Sequence, residues 1–153
     1  MNGSTNTPRG TEPRYGRAQR YLSRVEWLES ELDYKRLHLR SVRGLTSRGM
    51  VSGYGGGVPA DRTGGAAIRA QELTKEIEGL QERLTRARSD VRRTVSRLPN
   101  PGTRCLMEMR YLSHMKWEDI SEALDVSPRT ALRRHQRALQ TVEALLEERN
   151  EKE

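Results

Sequence analysis

Two stretches of the chain carry mainly apolar residues at alternating spacings of four and three. Most of the polar residues fall between these apolar positions. Such spacing puts the apolar residues on one narrow face of a helix, as in a coiled-coil seam. The pattern predicts two long helices, with Lys35 interrupting the first seam. The first seam comprises Tyr21, Val25, Leu28, Leu32, Lys35, Leu39 and Val42, and the second Leu73, Ile77, Leu80, Leu84, Ala87, Val91, Thr94 and Leu98.

A glycine-rich segment over residues 48–65 separates the two seams and also contains Pro59. Glycines at this density disfavour a continuous helix, and a flexible connection lets the two helices fold back on each other. We therefore predict an antiparallel coiled-coil hairpin over residues 14–98, with its linker at 48–65. The polar residues 1–13 are expected to form a disordered tail. The hairpin could instead open and pair with another copy, so we expect a homo-oligomer. The segment lacks the Gly-Lys-Ser or Gly-Lys-Thr of a phosphate-binding loop.

A third pattern follows the helix breaker at residues 99–102, which reads Pro-Asn-Pro-Gly. It predicts a helix over 103–113 that buries Leu106, Met109 and Leu112, then a short helix that begins at Trp117. Asp125 lies in the turn that follows, where a left-handed backbone suits aspartate better than most residues. Ser127 can cap the next helix, with proline at its first position. We predict a small helix-turn-helix domain over 99–146 and a charged C-terminal end over 147–153, so the fold class is all-α.

The last predicted helix separates apolar from basic positions. Leu132, His135, Leu139 and Val142 recur at helical spacing and are expected to face the protein. From Ser127 to Gln140 there are four arginines and no acidic residue. A face of one sign favours phosphates and base edges as its partner. The sequence therefore predicts binding to double-stranded DNA through Ser127, Arg129, Thr130, Arg133, Arg134 and Arg137.

The C-terminal third resembles region 4, the promoter-recognising domain of sigma-70-type RNA polymerase factors. Four positions depart mildly from that family's pattern, namely Asp119, Ser121, Asp125 and Ala131, of which Asp125 replaces the turn glycine. The resemblance implies a DNA-binding helix-turn-helix. The aromatic-rich melting helix of a complete sigma factor is missing from the sequence. The matching residues are Leu98, Pro99, Arg110, Tyr111, Trp117, Ile120, Leu124, Ser127, Thr130, Arg137, Ala138 and Leu139.

The composition supports a polyanion partner. The net charge is +7, and hydrophobic residues make up 33% of the chain, which suits extended helices better than one thick core. A single cysteine excludes an intramolecular disulfide and a cysteine zinc site, and the three histidines have no metal-ligand spacing. We expect no cofactor, no metal and no enzymatic activity. The sequence contains no membrane span and no signal peptide, which predicts a cytoplasmic protein of a bacterial cell.

The layout of helical hairpin, glycine-rich break and region 4-like end resembles small phage and prophage regulators. This resemblance implies a sequence-specific transcriptional regulator whose N-terminal helices oligomerise or contact host RNA polymerase. Two alternatives remain open at this point. The first is the DNA-recognition subunit of a phage packaging machine, similar to a small terminase, and the second is a structural coiled-coil protein whose basic helix binds an acidic protein surface.

Overall fold

A computed structural model describes residues 15–51 and 60–153 of the chain, and these residues fold into five α-helices. The prediction of an all-α fold, with a helical hairpin followed by a helix-turn-helix, is confirmed. The predicted tail over 1–13 lies outside the described residues. Within the described residues, no helix is both long and apolar enough to cross a bilayer. The helices are α1 (Gly16–Val51), α2 (Ala60–Ser96), α3 (Pro101–Tyr111), α4 (Trp117–Ala123) and α5 (Pro128–Glu151).

The two long helices extend further into the glycine-rich segment than the sequence pattern predicts. α1 continues to Val51 and α2 begins at Ala60, so both ends of the predicted linker at 48–65 are helical. Residues 52–59, the centre of that linker, lie outside the described residues. Gly64 and Gly65 are accommodated inside α2, where nothing lies within 4 Å of the Cβ that either position would carry. An exposed glycine costs a helix roughly 1 kcal/mol relative to alanine, which the long helix around it can offset.

The described residues divide into two compact units. One consists of residues up to Arg24 together with Asp90–Glu153, and the other of Val25–Ser89. We call them the terminal unit and the hairpin unit. The division cuts both α1 and α2 and does not fall at Pro99.

In the hairpin unit, α1 and α2 run antiparallel. Glu29 is paired with Arg88, and the Nζ of Lys35 donates to the Oε2 of Glu76 at 2.6 Å. A higher residue number on α1 thus pairs with a lower one on α2, as antiparallel helices require. The apolar seam residues of both helices are buried, as the spacing predicts. Lys35, the interruption in the first seam, is therefore matched by a carboxylate on the facing helix. The buried seam residues of this unit are Val25, Leu28, Leu32, Leu39, Val42, Leu73, Ile77, Leu80, Leu84 and Ala87.

In the terminal unit, α3, α4 and α5 pack around a small core, and each of the three contacts the other two. Leu106 and Ile120 are fully buried in it. The prediction that Met109 and Leu112 are buried is wrong, because both are only half-buried. Met107 and Tyr111 take the inward positions instead. The helix begins at Pro101, earlier than predicted, and a different face of it turns inward.

The terminal unit also contains the first turns of α1 and the last turns of α2. Leu22 and Val95 are fully buried there. The backbone N–H of Ala18 donates to the Oε2 of Glu143 on α5 at 2.8 Å, so a carboxylate sits at the N-terminus of α1, where the helix dipole favours negative charge. Asp90 near the end of α2 forms ion pairs with Arg24 at 2.6 Å and with Arg149 at 3.2 Å. These contacts connect α1, α2 and α5 within one unit.

Candidate nucleic-acid interface

The turn between α4 and α5 closes through a Schellman arrangement. The N–H of Val126 donates to the carbonyl of Ser121 at 3.0 Å, and the N–H of Asp125 donates to that of Glu122 at 3.1 Å. This pattern requires a left-handed residue directly after the helix, and Asp125 has φ 51°. The prediction of a left-handed turn at Asp125 is therefore confirmed. An aspartate adopts this conformation more easily than most residues, although less easily than glycine.

The start of α5 is fixed by its cap. The N–H of Thr130 donates to the Oγ of Ser127 at 3.1 Å, and the same Oγ donates to the hydroxyl of Thr130 at 2.9 Å. Pro128 occupies the first turn, where its missing N–H leaves no unmet bond. The predicted cap is confirmed. The hydroxyl proton of Ser127 is used in the hydrogen bond to the Thr130 hydroxyl. The two residues at the start of the helix therefore hold each other in place.

A cluster of rings connects α3, α4 and α5. The Oη of Tyr111 lies 2.6 Å from the Nε2 of His135, and the two rings stack with centroids 5.8 Å apart. The edge of Trp117 meets His135 at a centroid distance of 4.7 Å, and the guanidinium of Arg110 lies over the Trp117 ring. Trp117 is half-buried.

Burial controls the proton positions in this cluster. It lowers the pKa of His135 to about 4 and raises the pKa of Tyr111 to about 12. The imidazole is therefore neutral near pH 7 and the Tyr111 hydroxyl keeps its proton, so the two groups share one hydrogen bond. This bond joins α3 to the inward side of α5. His135 acts in packing, as its position in the predicted inward stripe indicates.

The outward face of α5 is basic. Arg129, Arg133 and Arg137 are exposed, and Arg134 is half-buried beside them. At 100° per residue, Arg133 lies about opposite the buried stripe of the helix. None of the four guanidinium groups forms a hydrogen bond or an ion pair with another described residue, whereas Arg24 and Arg149 in the same unit both pair with Asp90.

A groove runs along one side of this face, between α5 and the start of α3. Asn100 caps α3 by accepting hydrogen bonds from the N–H groups of Gly102 and Thr103, at 2.9 and 3.1 Å. Arg134 reaches the same place, since its Nη1 lies 3.7 Å from where a Cβ on Gly102 would be. Positive charge and the N-terminal end of a helix dipole thus meet at one wall, which favours anions. The groove is lined by Leu98, Pro99, Asn100, Thr103, Thr130, Arg133, Arg134, Arg137, Ala138 and Thr141.

Leu132 does not occupy the inward position that the sequence pattern predicts. Its exposed fraction is 48%, while Ala131 and Ala138 are buried at 0% and 2%. The small alanines let α5 approach the other helices closely, and this rotates Leu132 outward. Gln136 and Gln140 are exposed on the same side as the arginines, so they join the candidate interface residues. Counting the alanines as inward residues would have revealed both shifts.

Comparison with known families supports the resemblance seen in the sequence. Residues 88–142 match the family described as Sigma-70, region 4. The chain carries a sigma-70 region 4-like helix-turn-helix domain. The match begins at residue 88, eleven residues before the helix breaker at 99–102, and so includes the last turns of α2. Comparisons with curated proteins and with solved structures give no match.

This sigma-70 region 4-like domain is of a DNA-binding, non-catalytic type, and it indicates a DNA-binding regulator. The match ends at Val142, within α5. Beyond that point α5 continues to Glu151, and this extension carries the Glu143 and Arg149 contacts described above.

Proposed function

We propose that this protein is a sequence-specific transcriptional regulator that inserts the first turns of α5 into the major groove of double-stranded DNA. One observation carries the proposal: the arginines that share the outward face of α5 lack protein partners among the described residues, while Arg24 and Arg149 of the same unit are paired with Asp90. A guanidinium left without a carboxylate offers its full donor set to phosphate and to guanine.

The position of each side chain along α5 supports a division of roles. In helix-turn-helix proteins the N-terminal residues of the second helix face the base edges. Arg129 and Thr130 therefore read bases, and exposed Leu132 contacts a thymine methyl group. Arg134 and Arg137 line the groove at the start of α3, which suits phosphate contacts. Arg133, central on the face, contributes to both. Ser127 acts by capping the helix, since its hydroxyl already donates to Thr130.

The experiment begins with selection of a binding site from a pool of random duplexes. Arg129→Ala, Arg133→Ala and Arg137→Ala are then titrated against the selected and a scrambled duplex at several salt concentrations. Loss of a base contact costs roughly 1–3 kcal/mol and relaxes preference at one position. Loss of a phosphate contact weakens binding to both duplexes and flattens the salt slope by about one unit. We expect the first signature for Arg129 and the second for Arg137.

Arg86→Ala is the matched control, because it removes the same charge from an exposed site on α2 in the hairpin unit. The side chain of Arg86 is 80% exposed, and among the described residues it pairs with Glu82 one turn away. The proposal fails if the three α5 variants, shown to be folded by circular dichroism, bind DNA as well as the Arg86→Ala variant does.

The finer role rests on the layout of the chain. Its resemblance to small phage and prophage regulators supports a regulator encoded by such an element, which acts together with host RNA polymerase. Mapping the bound sites on the host and prophage genome tests this. Promoter sites together with co-purifying polymerase are expected, whereas binding confined to a packaging site would replace this role with that of a packaging subunit.

A further inference from the structure

The α1 helix carries a second apolar stripe besides its buried seam. Trp27, Tyr34 and Leu45 are exposed by 60%, 71% and 61%, and His38 lies on the same side, also exposed. At 100° per residue these four positions fall on one line, roughly 110° around the axis from the seam. That is about the angle between adjacent neighbours of one helix in a four-helix bundle. The hairpin unit therefore leaves one face of α1 open where a bundle would place another helix.

The concentration of apolar surface on this face is unusual for the molecule. Among the described residues, α1 holds four of the six large hydrophobic side chains that are exposed, counting Leu37 beside the stripe. Scattered exposed residues need no explanation, but adjacent ones of this size mark an interaction surface. Trp27, Tyr34 and His38 line one groove together with Ser30, Glu31 and Lys35.

The spacing of the stripe is symmetric about residue 36. From Trp27 to Tyr34 is seven residues, to His38 four more, and to Leu45 another seven, so the row reads the same in both directions. If two α1 helices cross antiparallel at this centre, Trp27 of each lies opposite Leu45 of the other. Tyr34 then lies opposite His38. A patch that is complementary to itself is what a two-fold interface requires.

The charges of α1 have the matching arrangement. Residues 26–33 contain four acidic and no basic residues, and residues 35–48 contain five basic and no acidic residues. Antiparallel pairing brings the acidic half of one helix beside the basic half of the other. Parallel pairing would place like charges together and is disfavoured.

We propose that a second copy of this chain docks on the stripe of Trp27, Tyr34, His38 and Leu45, with the two α1 helices antiparallel. The contact spans about 27 Å, at 1.5 Å per residue. It does not depend on the DNA-binding role, since the stripe lies in the hairpin unit and the basic face of α5 in the terminal unit.

Sedimentation equilibrium of the full chain over a range of concentrations tests the proposal. Trp27→Glu and Tyr34→Glu each place a charge on the stripe and are expected to raise the dimer dissociation constant at least tenfold. Ile68→Glu is the control, because Ile68 is an equally exposed apolar residue on α2 (61%) and lies outside the stripe. A parent chain that stays monomeric overturns the proposal, as does equal weakening by Ile68→Glu. Circular dichroism verifies that each variant is helical.

Disulfide cross-linking tests the direction of pairing, in chains that carry Cys105→Ser so that the introduced thiols are the only ones. Trp27→Cys chains mixed with Leu45→Cys chains are expected to form the mixed disulfide, because antiparallel pairing places these two positions opposite each other. If only disulfides between identical variants form, the antiparallel arrangement is wrong. DNA titration of Trp27→Glu is a separate measurement, so loss of dimers and loss of DNA binding are distinguishable.

Discussion

Asp125 occupies a backbone conformation that glycine would adopt with less strain. Its φ of 51° brings the side chain of an ordinary residue close to the following carbonyl, at a cost of roughly 1–2 kcal/mol. We expect Asp125→Gly to raise the free energy of unfolding by up to about 1 kcal/mol, and Asp125→Ala to lower it by about 1 kcal/mol. Urea denaturation of the two variants checks this. If alanine proves as stable as glycine, the turn does not require a left-handed residue.

His135 makes the stability of the protein depend on pH. Its folded pKa of about 4 lies below the usual value near 6.5, so between those values the unfolded chain binds more protons than the folded one. Stability is therefore fully present above pH 6.5 and is lost as the pH falls toward 4. We expect the free energy of unfolding to fall by about 2 kcal/mol between pH 7 and pH 5 from this group.

The pH experiment compares the parent with His135→Phe by urea denaturation at several pH values. The phenylalanine variant lacks the titrating ring and should lose most of the slope in this range, whatever its overall stability. Leu132→Phe serves as the control, because it places the same ring at an exposed position of α5 without removing a titrating group, and it should keep the slope of the parent. An unchanged slope in His135→Phe would mean that the histidine is not the titrating group.

At the scale of helices, two substitutions at the cap of α5 distinguish an effect on folding from an effect on the proposed DNA binding. Ser127→Ala removes the oxygen that accepts from Thr130 and should cost about 1 kcal/mol of stability. Ser127→Asp keeps an acceptor and suits the helix dipole, so it should remain as stable as the parent. We expect Ser127→Asp to bind DNA more weakly, because its charge lies beside the proposed base contacts of Arg129 and Thr130. Retained DNA affinity in the folded Ser127→Asp variant would place the start of α5 away from DNA.

The ion pair between Lys35 and Glu76 joins α1 to α2 at the charged position of the first seam. Lys35→Glu should lower the melting temperature by placing two carboxylates together, and adding Glu76→Lys should recover part of the loss. Thermal denaturation of both single variants and the double variant checks this. Equal losses in the double variant and the sum of the singles would show that the two side chains do not interact.

The seams of the long helices could be predicted from the sequence, because the apolar residues that recur there at helical spacing are also the residues that are buried. Every apolar residue predicted for the second seam is buried. The orientation of α5 was harder to predict, because Leu132 is large and apolar yet exposed. Ala131 and Ala138 are buried because small side chains let the helices pack closely. A prediction from hydrophobicity alone places the larger Leu132 inside instead. The rotation of α3 was missed for a related reason, since Tyr111 is buried through its bond to His135.

At the scale of the whole molecule, residues distant in sequence make contacts that stabilise the unit containing the helix-turn-helix. The bond from the N–H of Ala18 to Glu143 and the ion pairs of Asp90 lie outside the motif that the sequence pattern outlines. Nothing in local periodicity reveals such contacts, because they join residues far apart in the chain.

A fragment of residues 98–153 is therefore expected to be less stable than the full chain. It lacks Leu22 and Val95 of the buried terminal-unit core, and α5 loses the partners of Glu143 and Arg149. We expect partial helicity by circular dichroism and an earlier urea midpoint for the fragment. A midpoint equal to that of the full chain would show that the first turns of α1 and last turns of α2 add nothing to the domain.

The chain leaves the terminal unit after Arg24 and returns to it at Asp90, which has a consequence for synthesis. The first turns of α1 emerge from the ribosome before any of their partners in the unit, and Glu143 lies 125 residues after Ala18. The hairpin, whose two helices are consecutive, can form earlier. Its formation brings the positions next to Arg24 and Asp90 together and removes much of the entropy cost of closing the intervening loop. The terminal unit would then be completed after the hairpin, so a chain truncated between Ser89 and Glu143 would lack the capped α1 and the finished α5.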